Sequence, residues 1–192
     1  MKQKLEFPDH QSCELENQWI EKIRTGDAIA YEALFRTYYP RLCRFVLKMV
    51  QSKSIAEEIV QEIFLKIWEH RATWTSQYPI RIYLYRAAKN LSLNHLKHEK
   101  VVREWEKEEL MKIPLSENDP EMELFQHELS FAIQRAIDRL PERCRLTFTL
   151  HRQEGLTYTE IASVLNISIK TVETQMGRAL KTLRKLLLPY LH

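Results

Sequence analysis

Two short helices joined by a tight turn are predicted by the segment Gly155-Leu-Thr-Tyr-Thr-Glu-Ile-Ala-Ser-Val-Leu-Asn-Ile-Ser-Ile-Lys-Thr-Val-Glu-Thr-Gln-Met-Gly-Arg178. Thr157 can cap the first helix, and Glu160, three residues later, can reach back to the Thr157 backbone N–H. Asn166 supplies the end of that helix, and Ser168 can cap the second one. The segment therefore predicts a helix-turn-helix.

The second helix of this pair has two distinct faces. Its apolar residues Val172, Met176 and Ala179 recur at helical spacing and should point inward. The outward face carries the polar and charged side chains Lys170, Thr171, Glu173, Thr174, Gln175 and Arg178. A helix of this kind fits the DNA major groove, where such side chains hydrogen-bond base edges and phosphates. The pattern favours duplex DNA binding over the alternative, an ordinary helical hairpin.

Composition restricts the class of protein. With 192 residues, of which 44% are hydrophobic and 29% charged, the chain can bury one or two modest cores. Only three glycines occur and no Gly-rich phosphate loop is present, which favours helices with short connections over a nucleotide-binding α/β fold. No apolar run approaches the length of a membrane span, and residues 1–10 lack the apolar stretch of a secretory signal. We therefore expect a cytoplasmic, all-α protein.

The residues offer no obvious catalytic or metal-binding set. Cys13, Cys43 and Cys144 are isolated and form no CxxC pair, so reduced thiols are expected rather than a disulfide or a zinc site. No Ser/His/Asp or Cys/His arrangement and no paired carboxylates stand out. We expect no enzymatic activity, no cofactor, no metal and no small-molecule substrate.

The net charge of +3 is small, but it is unevenly distributed along the chain. Residues 78–98 carry four bases and no acid, with Tyr78, Tyr83 and Tyr85 interleaved. Residues 99–128 carry ten acids against four bases, and residues 167–192 carry five bases and one acid. A solvated surface would explain any single block. The coincidence of both basic blocks with aromatic or helix-turn-helix features instead predicts two separate DNA contacts flanking an acidic connector.

The acidic connector also predicts a domain boundary, because Pro114 and Pro120 interrupt any helix and no apolar periodicity is sustained between them. We expect a first domain at residues 19–100, a linker at 101–123 and a second domain at 124–189. Besides the helix-turn-helix pair, amphipathic patterns predict helices at residues 19–25, 28–38, 40–51, 55–70, 80–98, 124–140 and 141–154. Gly26 and Asp27 should serve as a stop and a cap.

The predicted helix at residues 55–70 also has two faces. One is apolar and belongs to the core, and the other carries the side chains Glu57, Glu58, Gln61, Glu62 and Lys66. Leu65 and Trp68 lie at the margin of that acidic face and could anchor a protein partner. A plain solvated surface is the alternative that these residues leave open.

Four motifs in order resemble the extracytoplasmic-function (ECF) sigma factors of bacterial RNA polymerase, in the sigma-70 family. The motifs are Ala56-Glu-Glu-Ile-Val-Gln-Glu-Ile-Phe-Leu-Lys-Ile-Trp68, Ile80-Arg-Ile-Tyr-Leu-Tyr-Arg-Ala-Ala-Lys-Asn90, Leu140-Pro-Glu-Arg-Cys-Arg145 and the helix-turn-helix. The likeness extends from Trp19 to Leu188. It implies a sigma region 2-like first domain and a sigma region 4-like second domain.

The resemblance implies a role for each surface. The acidic helix is expected to bind the β′ clamp helices of polymerase core through Glu58, Gln61, Glu62 and Trp68. The loop at residues 74–79 is expected to capture a flipped minus-ten base, and the melted strand is expected to contact Tyr83, Arg86, Lys89 and Asn90. The linker is expected to enter the active-site channel. Minus-thirty-five duplex is expected to contact Lys170, Thr171, Glu173, Thr174 and Arg178.

Two positions depart from the family pattern. Many relatives carry a base at the position of Glu173 and an arginine at that of Gln175, so this chain should make fewer phosphate contacts. Glu173 could instead accept a hydrogen bond from a cytosine amine. Arg178 fits the family pattern.

The resemblance implies a transcription initiation factor that binds RNA polymerase core, through its β′ clamp helices and β subunit, and promoter DNA. It also implies a membrane-bound anti-sigma factor as a further partner. Two alternatives remain open from the residues themselves. One is a helix-turn-helix DNA-binding transcriptional regulator acting without polymerase docking, and the other is a helical adaptor with no role in nucleic-acid binding.

Overall fold

The computed structural model describes residues 10–75, 78–105 and 132–190, and within them every regular element is a helix, as predicted. The helices are α1 (His10–Arg24), α2 (Ala28–Val50), α3 (Lys53–Glu69), α4 (Ile80–Trp105), α5 (residues 132–138), α6 (Glu142–Arg152), α7 (Tyr158–Leu165) and α8 (Ile169–Leu187), followed by a 3₁₀ turn (Leu188–Tyr190).

The predicted caps are confirmed. The Asp27 carboxylate accepts hydrogen bonds from two backbone N–H groups at the start of α2, and Gly26 before it has a φ of +87°, which suits glycine. Thr157 and Glu160 form the reciprocal capping box of α7, with the Thr157 N–H donating to the Glu160 carboxylate at 2.8 Å. Asn166 ends α7 with a φ of 56°, and the Ser168 hydroxyl accepts from the Thr171 N–H to begin α8.

The structure corrects the predicted helix break at Pro40. Residues 28–38 and 40–51 were expected to form two helices, but α2 is continuous and contains Pro40. Proline lacks the N–H that would bond to the carbonyl of Arg36, and it lies here on the exposed side of the helix. The buried stripe, which includes Leu34 and Leu42, continues on both sides of it, so core packing outweighs the local cost.

Other helix boundaries differ from the predicted ones. α1 begins at His10 rather than near Trp19, and α4 runs to Trp105 rather than ending at His98. No glycine or proline interrupts residues 98–105, so nothing in that segment ends the helix. Residues 101–105 of the predicted linker are therefore helical. The rest of the linker, and the start of the helix expected at residues 124–140, lie outside the described residues.

The first core forms where α2 packs against α1, α3 and α4, and its fully buried side chains include Leu34, Phe45, Phe64 and Leu84. A buried tyrosine ties α1 to this core, because the Tyr38 hydroxyl donates to the Glu16 carboxylate at 2.5 Å. Burial, with Glu16 nearby, raises the pKa of Tyr38, so the hydroxyl remains a donor at neutral pH. The Arg41 guanidinium lies 5.9 Å from the centre of the Tyr38 ring.

The second core lies between α5, α6 and α8 and buries Ala136, Leu140, Phe148, Met176 and Leu183. It is smaller than the first. The helix-turn-helix helices α7 and α8 pack directly against each other, and α6 braces α8. Val172, Met176 and Ala179 are buried on α8, as their spacing predicted.

The two domains also pack against each other. Helix α7 lies along α4, and Leu156, Ile161 and Val164 join the core of the first domain. The first core therefore extends across the boundary between the domains.

A buried carboxylate lies at the domain boundary. The Glu154 side chain is only 3% exposed, accepts a hydrogen bond from the Tyr85 hydroxyl at 2.5 Å, and pairs with the Arg41 Nε at 3.3 Å. Arg41 also donates to the Glu154 carbonyl at 2.8 Å. Tyr85 was expected on the nucleic-acid surface, but it is fully buried because its ring fills the first core while its hydroxyl meets Glu154.

Replacing Glu154 by alanine should lower the free energy of unfolding by about 2–3 kcal/mol, because Arg41 and Tyr85 lose a buried partner. This loss of stability is smaller than for a fully buried pair, because the Arg41 side chain is 33% exposed and solvent weakens its attraction to Glu154. Urea unfolding followed by circular dichroism measures it. Glu32→Ala, which breaks an exposed pair with Arg36, is the control and should change stability by about 0.5 kcal/mol or less. Equal losses of unfolding free energy in the two variants would show that the Glu154 carboxylate does not stabilise the domain boundary.

Candidate polymerase and nucleic-acid interfaces

The predicted polymerase-binding face of α3 lies on the surface. Glu58 and Gln61 are exposed, and Glu62 is half-exposed and pairs with Lys66 one turn later. Leu65 adds an apolar side chain that is 54% exposed beside them. The face therefore combines negative charge with a small apolar contact area, a combination suited to docking a protein with a basic groove.

Trp68 differs from its three neighbours in this set. It is half-buried, its ring lies 4.9 Å from that of Tyr31, and the Arg71 guanidinium stacks over it at 4.5 Å. These contacts hold Trp68 in the junction of α2 and α3. Its role as a polymerase contact stays a prediction, and removing it would also disturb the fold.

Aromatic and cationic side chains gather at the start of α4. The rings of Trp74 and Tyr83 pack edge to face with their centres 5.2 Å apart. The Arg24 guanidinium donates a hydrogen bond to the Trp74 carbonyl at 3.1 Å. The Arg86 guanidinium lies 5.0 Å from the centre of the Tyr78 ring. Rings beside cations can stack on unpaired bases and hold their phosphates. Residues 76–77 of the predicted base-capture loop lie outside the described residues.

Asn90 is exposed further along α4, but Lys89 is turned toward the second domain. The Lys89 ammonium donates to the Val164 carbonyl at 2.9 Å, near the end of α7. Burial, followed by the nearby charge of Arg86, lowers the pKa of Lys89. A cation at the last carbonyls of a helix is favourable, because those groups lack partners within the helix. The Lys89 ammonium, predicted to contact the melted strand, is therefore bonded to the second domain in this structure.

An ion pair reinforces this packing of α7 on α4. Arg81 donates to Glu160, and the two side chains are only 13% and 15% exposed. Glu160 therefore caps α7 and pairs across the domain boundary at once. The sequence indicated its capping role alone, because a residue 79 positions away leaves no local pattern.

The recognition surface of α8 remains open. Lys170, Glu173, Thr174 and Arg178 are exposed, and Thr171 is half-buried beside the Ser168 cap. The Thr174 hydroxyl donates to the Lys170 carbonyl at 2.8 Å, which leaves its lone pairs and methyl group facing outward. The polar face expected to contact duplex DNA is therefore solvent-accessible.

A groove of about 550 Å³ lies between α8 and the start of α6. Its wall includes Lys170, Thr174 and Arg178 from α8, together with Glu142 and Arg143 from α6. Three cations face one carboxylate in this groove, so it favours a phosphate backbone. Arg143 was not predicted as a DNA contact, because the segment at residues 140–145 carries no DNA-binding pattern of its own.

The described part of the chain also bears on metal binding and on membrane spanning. No group of three or more His, Cys, Asp or Glu residues there could hold a metal ion. No helix in residues 10–75, 78–105 or 132–190 is both long and apolar enough to cross a bilayer. Cys43 and Cys144 are free thiols, and burial raises the pKa of Cys43.

Family models and curated relatives match both domains. The model for sigma-70 region 2 matches residues 34–101, and the model for sigma-70 region 4 matches residues 130–183. The RNA polymerase sigma-H factor of Pseudomonas aeruginosa is 27% identical over 189 residues, covering 93% of this chain and 96% of the relative. The ECF RNA polymerase sigma-E factor of Escherichia coli is 27% identical over 168 residues, covering 83% and 87%.

Two solved structures share the fold. CnrH, in complex with the cytosolic domain of CnrY, matches with a TM-score of 0.61 and 19% identity over 90% of this chain and 97% of that one. RpoE of Bartonella quintana, in complex with the anti-sigma factor NepR, matches with a TM-score of 0.62 and 18% identity over 82% and 96%. The predicted resemblance is thus confirmed across both domains, and the chain belongs to the extracytoplasmic-function sigma factors of the sigma-70 family.

Proposed function

We propose that this sigma factor directs RNA polymerase core to particular promoters and opens their minus-ten region. The observation that carries the proposal is the presence of two unlike DNA surfaces on one chain. The start of α4 offers rings and cations suited to a single strand, and α8 offers a polar helix suited to a duplex groove. Catalysis belongs to the polymerase.

Each part of the chain has its own proposed partner, as the family resemblance implies. Residues 19–100 dock on the β′ clamp helices and hold the minus-ten strand, residues 101–123 connect the domains, and residues 124–189 contact the minus-thirty-five duplex. An anti-sigma factor is a further proposed partner, since CnrH and RpoE were solved with CnrY and NepR. A regulator acting without polymerase would account for α8 but leave the surfaces of α3 and α4 without a role.

The direct test mixes the purified chain with core polymerase and genomic DNA and sequences the transcripts. We expect start sites that share two conserved elements at the minus-thirty-five and minus-ten positions. Strong sequence-specific binding of the chain to intact duplex, without any stimulation of core polymerase, would instead identify a polymerase-independent regulator.

The polymerase-binding face is tested by Gln61→Ala combined with Glu62→Lys. Affinity for core should fall by about tenfold or more, because charge reversal at a contact replaces attraction by repulsion. A pull-down titration measures it, with circular dichroism to confirm the helical content. Glu32→Lys is the matched control, since Glu32 also sits in an exposed ion pair one helical turn from its partner. Equal core affinity for both variants would contradict the docking site.

The strand-binding surface is tested by Tyr83→Ala. Transcription from duplex promoters should fall, and a template with a pre-opened minus-ten bubble should restore part of it, because the variant lacks a stacking partner for melted bases. Leu93→Ala, which removes an exposed side chain further along α4, should leave both templates unaffected. Absence of rescue by the bubble, with normal core binding, would rule out a role of Tyr83 in opening.

Strand binding should also require the two domains to separate, because α7 covers Lys89 in this arrangement. Glu160→Gln tests this requirement. Glutamine preserves the capping box but removes the charge that pairs with Arg81. We expect the chain to bind a minus-ten single-stranded oligonucleotide several-fold more tightly, because a larger fraction of molecules is open.

Fluorescence anisotropy at fixed salt measures that affinity. Glu32→Gln removes the same charge at an exposed site and controls for the change in net charge. Should both variants bind the oligonucleotide equally, the contact of α7 with α4 would not limit strand binding.

A further inference from the structure

Gln175 differs from the other polar side chains on the outward face of α8. It lines the groove beside Thr174 and Arg178, but it is half-buried and its amide touches the neighbouring helix α6. There the amide Oε1 lies 2.5 Å from the hydroxyl oxygen of Thr147, which is fully buried. Gln175 is therefore anchored from beneath by a side chain that solvent does not reach.

The Thr147 hydroxyl donates to the amide, because a separation of 2.5 Å between the two oxygens is typical of an O–H···O bond and is shorter than an N–H···O bond. The same hydroxyl lies 3.0 Å from the Arg143 carbonyl. That carbonyl lies one turn earlier in α6 and accepts the helical N–H of Thr147, so it keeps a partner when the hydroxyl proton is directed at Gln175. Oε1 is therefore the end of the amide that Thr147 holds.

We propose that Gln175 determines sequence specificity in the duplex contact and that Thr147 positions it. With Oε1 held by Thr147, Nε2 is the amide end left for the groove, where it acts as a hydrogen-bond donor. In the major groove the hydrogen-bonding groups of guanine (N7 and O6) and thymine (O4) are all acceptors. Gln175 thus favours guanine or thymine at one position of the duplex element. This inference rests on the proposed function, since it requires α8 to contact promoter DNA.

The anchoring explains why this glutamine discriminates between bases. A free glutamine amide can present either end, so it bonds acceptors and donors alike and loses rotamer entropy when it does so. A held amide presents one end and has already lost that freedom. The buried hydroxyl of Thr147 fixes the orientation because no water competes for it.

The chain supplies a matched control on the same helix. Thr149 is also buried on α6, at 3% exposure, and its hydroxyl has no hydrogen-bond partner among the described residues. Thr147→Val and Thr149→Val make the same chemical change in the same helix. Only the first removes a hydroxyl that touches a groove residue.

The test is transcription by core polymerase with each full-length variant, from a promoter library randomised across the minus-thirty-five element. Gln175→Ala should reduce the preference for guanine or thymine at one position by about 2- to 10-fold, the effect of one hydrogen bond. Thr147→Val should reduce the same preference, Thr147→Ser should restore it, and Thr149→Val should leave it as in the wild type. Lys170→Ala should lower transcription from all promoters by a similar factor, as expected for the loss of a phosphate contact.

Each contrary outcome has a distinct meaning. Loss of a preference for cytosine in Gln175→Ala would show that the amide presents its acceptor end and would overturn the proposed orientation. An unchanged base preference in Thr147→Val would show that Thr147 does not position the Gln175 amide. Failure of the wild-type chain to support any promoter-dependent transcription would refute the proposed function itself, independently of these variants.

Discussion

The buried carboxylate of Glu154 joins the two halves of this molecule. An ionised group removed from water is costly unless it is paired and hydrogen-bonded, and here both requirements are met by the first domain, through Arg41 and Tyr85. Glu154 follows α6 in the second domain, so its bonds fix where α7 begins relative to α4. The contacts of Lys89 and Arg81 with α7 depend on that placement.

The packing exposes the two proposed DNA surfaces unequally. The polar face of α8 is exposed, whereas one end of the α4 surface packs against α7. The proposed duplex surface is therefore accessible in this arrangement, while the proposed strand surface is partly covered by α7. This difference matches the order of initiation, in which a promoter is recognised as a duplex and then opened.

Local sequence predicted much of the fold, because helix caps and amphipathic spacing act over a few residues. The Thr157 and Glu160 box, the Asn166 stop and the buried stripe of α8 were all predicted correctly. Pro40 and Tyr85 were not, since tertiary packing overrode their local preferences. Contacts between distant residues, such as those of Thr147 with Gln175, leave no local signal and required the structure. The residue roles in the proposed interfaces rest on exposure and on the family pattern.

The position of Tyr38 and Arg41 on adjacent turns of α2 has a mechanical consequence. Tyr38 bonds to Glu16 in α1, its ring lies beneath Arg41, and Arg41 bonds to Glu154 in the second domain. These groups form an unbroken series of contacts from the N-terminal helix to the second domain. A ligand bound to α1 would therefore act on the groups that hold the second domain without contacting that domain directly.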